Sequence, residues 1–443
     1  DAVISTAMDG VLFIDEAHSL DPGSNRAEGR AIVTKLLKAA EDHRERITII
    51  LAGYQDEIEN KLYASDQGFR SRFEDVFFHD YTEAELKQIF EEKVREKDWT
   101  LDPASPRLAD VVARRIARGR GTKGFANART VRSTMERGIK AASLAERAPL
   151  LKIEDFLGAR PDPEQMPKLN AALNELWGMV GLDEQEGQGE GKDRTVGRAV
   201  KPAIRQLLQT VQANYDRELR GEKDLQVSLN RLFLGSPGTG KTTVAAVYGN
   251  ILKELGLLSN GTVVMKTAGD FVAGHEGGTE EATLAILENA RGKVLVIDEA
   301  YNLNGSKYGS TAIDMIVSKV MGGPGDDIAV VMLGYEKEML KMLRDQNPGL
   351  ARRFQPADAF FFPDFDDGEL MKILKAKAAQ EQLRLGLDVR TAAIKLLAEE
   401  RRKPNFGNAG AVNNLLSRAK LNMSARDPRT RSVEVADLGS SAR

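Results

Sequence analysis

The sequence predicts an α/β fold: a parallel β-sheet with helices on both faces, followed by a small all-helical subdomain, with this arrangement present twice. Two observations lead to the prediction. Short apolar runs that end in polar or glycine residues alternate with stretches of helical periodicity, a pattern typical of a sheet covered by helices. The same succession of signals returns about 280 residues further along the chain, which indicates one type of domain used twice.

The apolar runs have the length of buried parallel strands. They span residues 11–14, 47–51, 232–234, 294–297 and 328–333. Helical patterns lie between them, for example at 31–40 and 242–258. Two longer helical stretches, about 83–158 and about 367–443, follow the sheet regions, and we expect each to form a helical lid subdomain.

Four segments carry the repeat in register. The pair Asp15–Glu16, placed after an apolar run, returns as Asp298–Glu299. The other corresponding segments are 47–54 with 328–335, 68–73 with 349–354, and 125–129 with 406–410. These signals predict a partial domain at 1–158, a proline-containing linker at 159–169 and a complete domain at 170–443, whose large subdomain covers about 170–366. The Gly-, Glu- and Gln-rich segment 185–198 is predicted to be a disordered insertion.

Composition excludes several classes of function. The 443 residues are 42% hydrophobic and 29% charged, which is typical of a soluble protein of two or three domains. The 63 basic and 66 acidic residues nearly balance, so nothing favours nucleic acid or an anionic membrane as a partner. The absence of cysteine excludes disulfides and zinc fingers, and the four histidines are too far apart in sequence to indicate a metal cluster. Without a secretory signal or an apolar run of roughly 18 residues, we expect a soluble intracellular protein, with the cytoplasm favoured.

A glycine-rich loop follows the apolar run at 232–234 and opens a helical pattern. It satisfies the pattern G-x-x-x-x-G-K-T and consists of Gly235, Ser236, Pro237, Gly238, Thr239, Gly240, Lys241 and Thr242. Such a loop turns backbone N–H groups inwards to hold phosphates at a helix N-terminus, and its lysine reaches the β- and γ-phosphates. The sequence therefore predicts a nucleotide site, in which we also include Thr243.

The pair Asp298–Glu299 is predicted to complete this site. Both carboxylates stand at the carboxyl end of a buried strand, where ligands bind in open α/β sheets. Asp298 and the Thr242 hydroxyl would hold Mg²⁺, and Glu299 would orient and deprotonate the attacking water. ATP and Mg²⁺ are the expected ligands.

The corresponding pair Asp15–Glu16 differs, because no glycine-rich loop precedes it in this chain. Either the chain is a fragment that begins after that loop, or the first copy is inactive; the abrupt start at Asp1 favours the fragment. Arg353 and its counterpart Arg72 are candidates for an arginine that stabilises the charge on the γ-phosphate of another copy, since such arginines are commonly supplied in trans.

Together these motifs resemble the AAA+ ATPases of the stage V sporulation protein K and red-type Rubisco activase (CbbX-like) family. The more specific marks are Asn347-Pro348-Gly349, Gly334-Tyr335, Phe362-Pro363-Asp364 and Phe406-Gly407-Asn408-Ala409. The resemblance implies a hexameric homo-oligomeric ring that pulls on a protein client through its pore. It also implies that Arg353 is the arginine finger, that Gly334-Tyr335 occupies the sensor-1 region and that Val180, Gly181 and Leu182 contact adenine.

Two departures from the family pattern bear on function. The sensor-2 arginine of the lid is present as Arg129 in the first copy, but Gly410 stands at that position in the complete one, which implies slower hydrolysis or weaker lid closure. The predicted pore loop carries His275 where the family usually has an aromatic ring. Three functions therefore stay open: an ATP-driven protein remodeller, a nucleotide-gated scaffold with little hydrolysis, and a nucleic-acid-associated motor, which the balanced charge disfavours.

Overall fold

The computed structural model describes residues 2–20, 26–66, 68–122, 124–183, 198–272, 277–403 and 406–439. Within it the chain forms two compact units, Asp1–Tyr81 and Thr82–Arg443. His275 and all but the last residue of the predicted insertion at 185–198 lie outside the described residues.

The first unit is built on a two-stranded parallel sheet. Its elements are α1 (Ala2–Thr6), β1 (Gly10–Ile14), α2 (Arg26–Asp42), β2 (Ile47–Leu51) and α3 (Gln55–Glu57). The strands pair in register from Gly10 opposite Ile47 to Ile14 opposite Leu51. Because strand side chains alternate between faces, Leu12 and Ile14 pack towards a core with α2, while Val11 and Phe13 remain 59% exposed.

The second unit begins with a helical subdomain, the first lid. Its elements are α4 (Glu83–Glu96), β3 (Thr100–Leu101), α5 (Leu108–Ala117), α6 (Ala128–Leu144), β4 (Leu150–Leu151) and α7 (Glu154–Leu157). At its start the Thr82 hydroxyl accepts from the Glu85 N–H and the Glu85 carboxylate accepts from the Thr82 N–H. This reciprocal capping fixes the beginning of α4, and Phe90, Val112 and Met135 fill the core behind it.

Two helices connect the first lid to the large sheet: α8 (Pro167–Gly178) and α9 (Val200–Arg220). The last three residues of the predicted linker 159–169 are therefore helical. Pro167 occupies the first turn of α8, where its fixed φ suits a helix and its missing N–H is not needed. A proline-rich composition consequently predicted too long a linker at this end.

The large sheet contains five parallel strands: β5 (Arg231–Gly235), β6 (Val263–Thr267), β7 (Val294–Asp298), β8 (Ala329–Gly334) and β9 (Phe360–Phe362). Their order across the sheet is β6–β7–β8–β5–β9. The surrounding helices are α10 (Lys241–Glu254), α11 (Ala268–Phe271), α12 (Gly278–Asn289), α13 (Lys307–Lys319), α14 (Glu336–Asp345) and α15 (Pro348–Arg353). One core, with Phe233 and Val296, lies on one face, and a second, with Leu234 and Ile297, lies on the other. This confirms the predicted parallel sheet with helices on both faces.

A second lid follows the sheet. Its elements are α16 (Asp367–Gln380), β10 (Arg384–Leu385), α17 (Leu387–Arg401), α18 (Ala409–Arg426) and β11 (Ser432–Val433). They repeat the element order of the first lid from α4 to β4, and both lids pair their two short strands in parallel. Among the residues that the structure describes, no helix combines the length and apolarity needed to cross a membrane.

Candidate nucleotide site

The loop between β5 and α10 is shaped by its backbone and by its own side chains. Gly240, immediately before α10, has φ of 91°, a left-handed conformation that favours glycine. The Thr239 hydroxyl donates to the Ser236 carbonyl at 2.8 Å and braces the loop. The N–H groups of the first turn of α10 have no acceptor within the helix, and the positive end of its dipole lies here. The loop is therefore built to receive an anion.

Lys241 lies within the loop and is half-buried. Its ammonium donates to the carbonyls of Gly235 at 2.8 Å and Ser236 at 2.6 Å. Burial lowers the pKa of Lys241, while the negative charges of Asp298 and Asp364 act in the opposite direction. A triphosphate would supply further negative oxygens to this ammonium, so Lys241 fits the phosphate-binding role that the sequence predicted.

Asp298 and Glu299 stand at the same edge of the sheet as the loop. The buried strand β7 ends in Asp298, whose Oδ1 accepts from the Glu299 N–H at 2.9 Å. Glu299 has φ of 47°, so the backbone turns sharply and leaves its carboxylate exposed. Asn302 Nδ2 donates to Glu299 Oε2 at 3.2 Å and orients it. The two halves of the predicted site therefore lie at the same edge of the sheet, and the negative charge of Asp298 acts to raise the pKa of Lys241.

The space between these two halves is occupied by the end of β8, which lies between β5 and β7. Gly334 ends that strand, and a Cβ there would lie 2.7 Å from Met339 and 2.9 Å from Tyr301. The rings of Tyr301 and Tyr335 are 6.1 Å apart. Burial first, and then the charge of Glu299, raise the pKa of Tyr301 to about 12. The predicted sensor-1 region is thus at the site, together with Tyr301, which the sequence did not single out.

The donor set fits Mg²⁺ with a triphosphate. Thr242 and Thr243 are exposed at the start of α10, and the half-buried carboxylate of Asp298 is an oxygen ligand of the kind that Mg²⁺ prefers. A hydroxyl and one carboxylate leave room for phosphate oxygens and water in the octahedral shell of this ion.

The segment Val180, Gly181 and Leu182 joins the large subdomain to the second lid. Val180 packs against the core of the second lid, whereas Leu182 belongs to a core of the large sheet. Gly181 has φ of 75°, and a Cβ there would lie 2.6 Å from the Phe365 ring. The residues predicted to contact adenine therefore lie between the core of the large sheet and the core of the second lid.

The second lid reaches the phosphate loop through the start of α18. The Ala409 N–H donates to the Gly238 carbonyl at 3.1 Å. A Cβ on Gly238 would lie 2.1 Å from the Gly407 carbonyl oxygen, so only glycine permits this approach. Asn408, which is fully buried, donates from Nδ2 to the Pro237 carbonyl at 3.2 Å. The predicted sequence repeat includes the segment around Asn408 but assigns it no contact.

Gly410 lies in the first turn of α18, and the space around its Cα is open, because a Cβ there would meet no atom within 4 Å. Its counterpart Arg129 is exposed in the first turn of α6. The position predicted for sensor 2 therefore lies close to the phosphate loop, with the Gly410 N 3.2 Å from where a Cβ on Gly238 would be, but it carries no side chain.

Arg353 lies at the opposite edge of the sheet from Lys241. Its guanidinium donates to the carbonyls of Val320 at 2.9 Å and Gly349 at 3.2 Å. Gly322, two residues beyond Val320, accepts from the Leu229 N–H, and Leu229 precedes β5 whereas the phosphate loop follows it. At ~3.3 Å per residue, β5 separates the two ends by about 15 Å. One chain does not bring Arg353 to its own Lys241.

The predicted first-copy residues show the same local geometry as their counterparts. Glu16 has φ of 50° and its N–H donates to Asp15 Oδ1 at 3.0 Å. Arg72 donates to the Gly68 carbonyl at 3.2 Å, as Arg353 does to Gly349, and also pairs with Glu41 at 3.0 Å. The residue preceding α6, Asn127, has φ of 44° and ψ of −117°, close to the 49° and −119° of Asn408.

A phosphate loop on a parallel sheet, an Asp–Glu pair at the end of the next strand but one and a helical lid define an AAA+ ATPase. Residues 231–347 match the ATPase family associated with various cellular activities (AAA), and residues 82–149 and 366–438 match the AAA lid domain. The chain belongs to the CfxQ family of these proteins. It is 35% identical over 274 residues to Protein CfxQ of Xanthobacter flavus, a match that covers 61% of this chain and 80% of the relative.

Other similar proteins extend this picture. The chain is 34% identical over 233 residues to a chloroplastic ribulose bisphosphate carboxylase/oxygenase activase of Cyanidioschyzon merolae, covering 52% of this chain and 78% of the relative. A cryo-EM structure of Hsp104 with ATPyS and FITC casein has a TM-score of 0.59 and 15% identity, and the match covers 96% of this chain and 77% of Hsp104. That likeness concerns the fold. The resemblance to Rubisco-activase-like AAA+ proteins is thereby confirmed at the level of the family.

Proposed function

We propose that this chain binds ATP with Mg²⁺ at the Lys241 site, hydrolyses it to ADP and phosphate, and uses the cycle to remodel a protein client as part of an oligomer. The observation that carries the proposal is the placement of the phosphate loop, after β5, and of Asp298, at the end of β7, at the same edge of the parallel sheet, with only β8 between the two strands. Phosphoryl transfer requires a cation that binds the phosphates, together with carboxylates that hold Mg²⁺ and orient water.

Each residue has a separate task in this proposal. Lys241 and the first N–H groups of α10 hold the β- and γ-phosphates, and Thr242 with Asp298 holds Mg²⁺, which neutralises phosphate charge when bound. Glu299, oriented by Asn302, accepts a proton from the water that attacks the γ-phosphorus. As the new P–O bond forms, the bond to the bridging oxygen breaks and ADP leaves.

Hydrolysis on this scheme needs an assembly. Because Arg353 is held at the far edge of its own sheet, the γ-phosphate charge at Lys241 would be stabilised by Arg353 of a neighbouring copy. A head-to-tail contact of this kind repeats from chain to chain, and it gives a ring when the rotation between neighbours closes. We therefore propose a homo-oligomeric ring, a hexamer by resemblance to the family.

The proposed client is a protein of unassigned identity. One relative is named as an activase of ribulose bisphosphate carboxylase/oxygenase, and the Hsp104 structure contains casein. Both names support a protein as the substrate of remodelling. They do not select ribulose bisphosphate carboxylase/oxygenase as the client of this chain.

We also propose that residues 1–158 are a second copy of the same domain type, joined through residues 159–169 to the copy at 170–443. Three features support this proposal. A glutamate with positive φ follows both β1 and β7. Arg72 and Arg353 each donate to a glycine carbonyl, and the turns at Asn127 and Asn408 have similar backbone angles. Asp15, Glu16, Arg72 and Arg129 would be its site residues.

A second candidate function is a nucleotide-gated scaffold that binds ATP and hydrolyses it little. Gly410 favours it, because no side chain stands at that position of the lid to contact the γ-phosphate. The remodeller and the scaffold share the binding site and differ in turnover.

The first prediction compares ATP binding and turnover in the unchanged chain, Lys241→Ala and Glu299→Gln. Lys241→Ala removes the phosphate contact, so we expect both binding and turnover to fall below detection. Glu299→Gln keeps the shape of the side chain but not its basicity, so binding should stay within about threefold while turnover falls about 100-fold or more. Equal turnover in all three would refute hydrolysis at this site, and tight binding without turnover in the unchanged assembly would favour the scaffold.

A further inference from the structure

Asn408 lies in a tight turn in which its φ is positive. The Gly410 N–H donates to the Gly407 carbonyl at 2.8 Å and closes a four-residue turn, with Asn408 at its second position. The φ of 49° and ψ of −119° of Asn408 are those of the first central residue of a type II′ turn. Glycine is favoured there, and asparagine is among the side chains that tolerate positive φ best.

The side chain of Asn408 connects three parts of the molecule. Its Nδ2 donates to the Pro237 carbonyl in the phosphate loop at 3.2 Å and to Asp364 Oδ1 at 2.8 Å. Its Oδ1 accepts from the N–H of Phe365, on the segment that enters the second lid, at 2.9 Å. The residue is completely buried, so these bonds are made without competition from water.

Neighbouring backbone contacts strengthen the same connection. The Ala409 N–H donates to the Gly238 carbonyl, and Gly238 approaches Gly407 too closely for any side chain. Two successive residues of the lid, Asn408 and Ala409, therefore hold two successive carbonyls of the loop, those of Pro237 and Gly238.

This inference rests on the proposed ATP site. We propose that Asn408 is a positioning residue. It couples the angle of the second lid to the shape of the phosphate loop and so sets the affinity for nucleotide. Asn408 also fixes the carboxylate of Asp364, whose charge acts on Lys241. When the lid rotates away, the bonds to Pro237 and Gly238 break together, and the loop loses the support that keeps its N–H groups convergent. Lid opening thereby weakens binding of the phosphates and releases ADP.

Two substitutions remove the donor in different ways. Asn408→Gly deletes the side chain and suits the positive φ, so the turn itself is not strained. Asn408→Asp keeps the shape of the side chain and the oxygen that accepts from the Phe365 N–H. It replaces the Nδ2 donor with a carboxylate oxygen that faces Asp364. Asn127→Gly and Asn127→Asp change the equivalent turn of the first lid and serve as matched controls.

The experiment measures the dissociation constant of a fluorescent ADP analogue, together with thermal unfolding, in the full chain. Both Asn408 variants lose the bonds that Nδ2 donates to Pro237 and Asp364, so we expect each to bind the analogue about tenfold more weakly. The Asn127 variants should bind within about twofold of the unchanged chain, although they change the same kind of turn. A residue that serves only the turn would lower the unfolding temperature and leave the dissociation constant unchanged.

Unchanged binding in both Asn408 variants would overturn the proposal, as would an equal loss in the Asn127 variants. If Asn408→Gly does not fold, Asn408→Asp decides by the same criterion. Failure of the unchanged chain to bind the analogue, with Lys241→Ala indistinguishable from it, would instead remove the proposed ATP site on which this inference rests.

Discussion

Gly410 is the residue at which this site departs most from the family pattern. It lies in a helical conformation in the first turn of α18, close to the contact between Gly238 and Gly407, and the space beside its Cα is open. A Cβ at this position would meet no atom within 4 Å. The missing arginine is therefore a property of the sequence and not a consequence of crowding.

The second prediction is that Gly410→Arg raises ATP turnover or lowers the KM for ATP, because a guanidinium would reach the γ-phosphate. Gly410→Ala is the control, since it shares the loss of backbone freedom, which stabilises the folded chain by about 0.4–1 kcal/mol. Steady-state kinetics and chemical unfolding of both variants separate the two effects. If arginine and alanine change the kinetics alike, the guanidinium has no role at this position.

At the scale of single residues, the sequence predicts candidate groups from motif spacing, but it does not indicate contacts that depend on the fold. Lys241, Asp298 and Glu299 were predictable because their spacing from a strand and a helix defines their task. Asn408 was not, because its partner Pro237 is 171 residues away in sequence and its role depends on a positive φ. Tyr301 became evident only when the ends of β7 and β8 were seen side by side.

At the scale of elements, α5 of the first lid packs against α9. Glu218, whose side chain is 11% exposed, lies 3.2 Å from Arg115 and 3.5 Å from Arg118, and Arg118 also pairs with Asp224 at 3.1 Å. Leu219 packs against the core of the first lid. Because a nearly buried carboxylate shared by two arginines is costly to separate, these contacts hold the first lid against α9.

The third prediction concerns this joint. Glu218→Ala removes the acceptor shared by Arg115 and Arg118 and should lower the free energy of unfolding by about 1–2 kcal/mol. Glu222→Ala is the control, because its carboxylate pairs with Arg220 at an exposed position near the end of the same helix and should contribute less. Urea unfolding of both variants checks the difference. Equal losses would show that the ion pairs of Glu218 do not hold the lid.

Elements with a strong pattern were predictable, and two strands of the large sheet were not. The runs that became β5, β7 and β8 are continuous and apolar because both of their faces are buried. β6 is only partly buried, with the polar residues Lys266 and Thr267 at its end, and β9 has three residues, so neither gave a distinct signal. The packing of the first lid on α9 depends on side chains that no motif contains.

At the scale of the whole molecule, the central feature is the separation of Lys241 from Arg353. Each chain holds a nucleotide cradle at one edge of its sheet and a candidate arginine finger at the other. A site with both groups can therefore form only between copies. Turnover, on this account, belongs to the assembly, whereas phosphate binding belongs to the single chain.

The measurement that tests this claim most directly is ATP turnover by co-expressed, differently tagged Arg353→Ala and Lys241→Ala chains, purified as a mixed oligomer. Each variant alone should lose turnover by about 1,000-fold or more, because one lacks the charge-stabilising arginine and the other the phosphate contact. In random mixtures, about a quarter of the sites combine an intact Lys241 with an intact neighbouring Arg353, so turnover should return to about that fraction of the unchanged protein. Mixing Lys241→Ala chains with chains that carry both Arg353→Ala and Lys241→Ala should restore no turnover. Full turnover by Arg353→Ala alone, or no recovery in a mixed oligomer, would contradict the account.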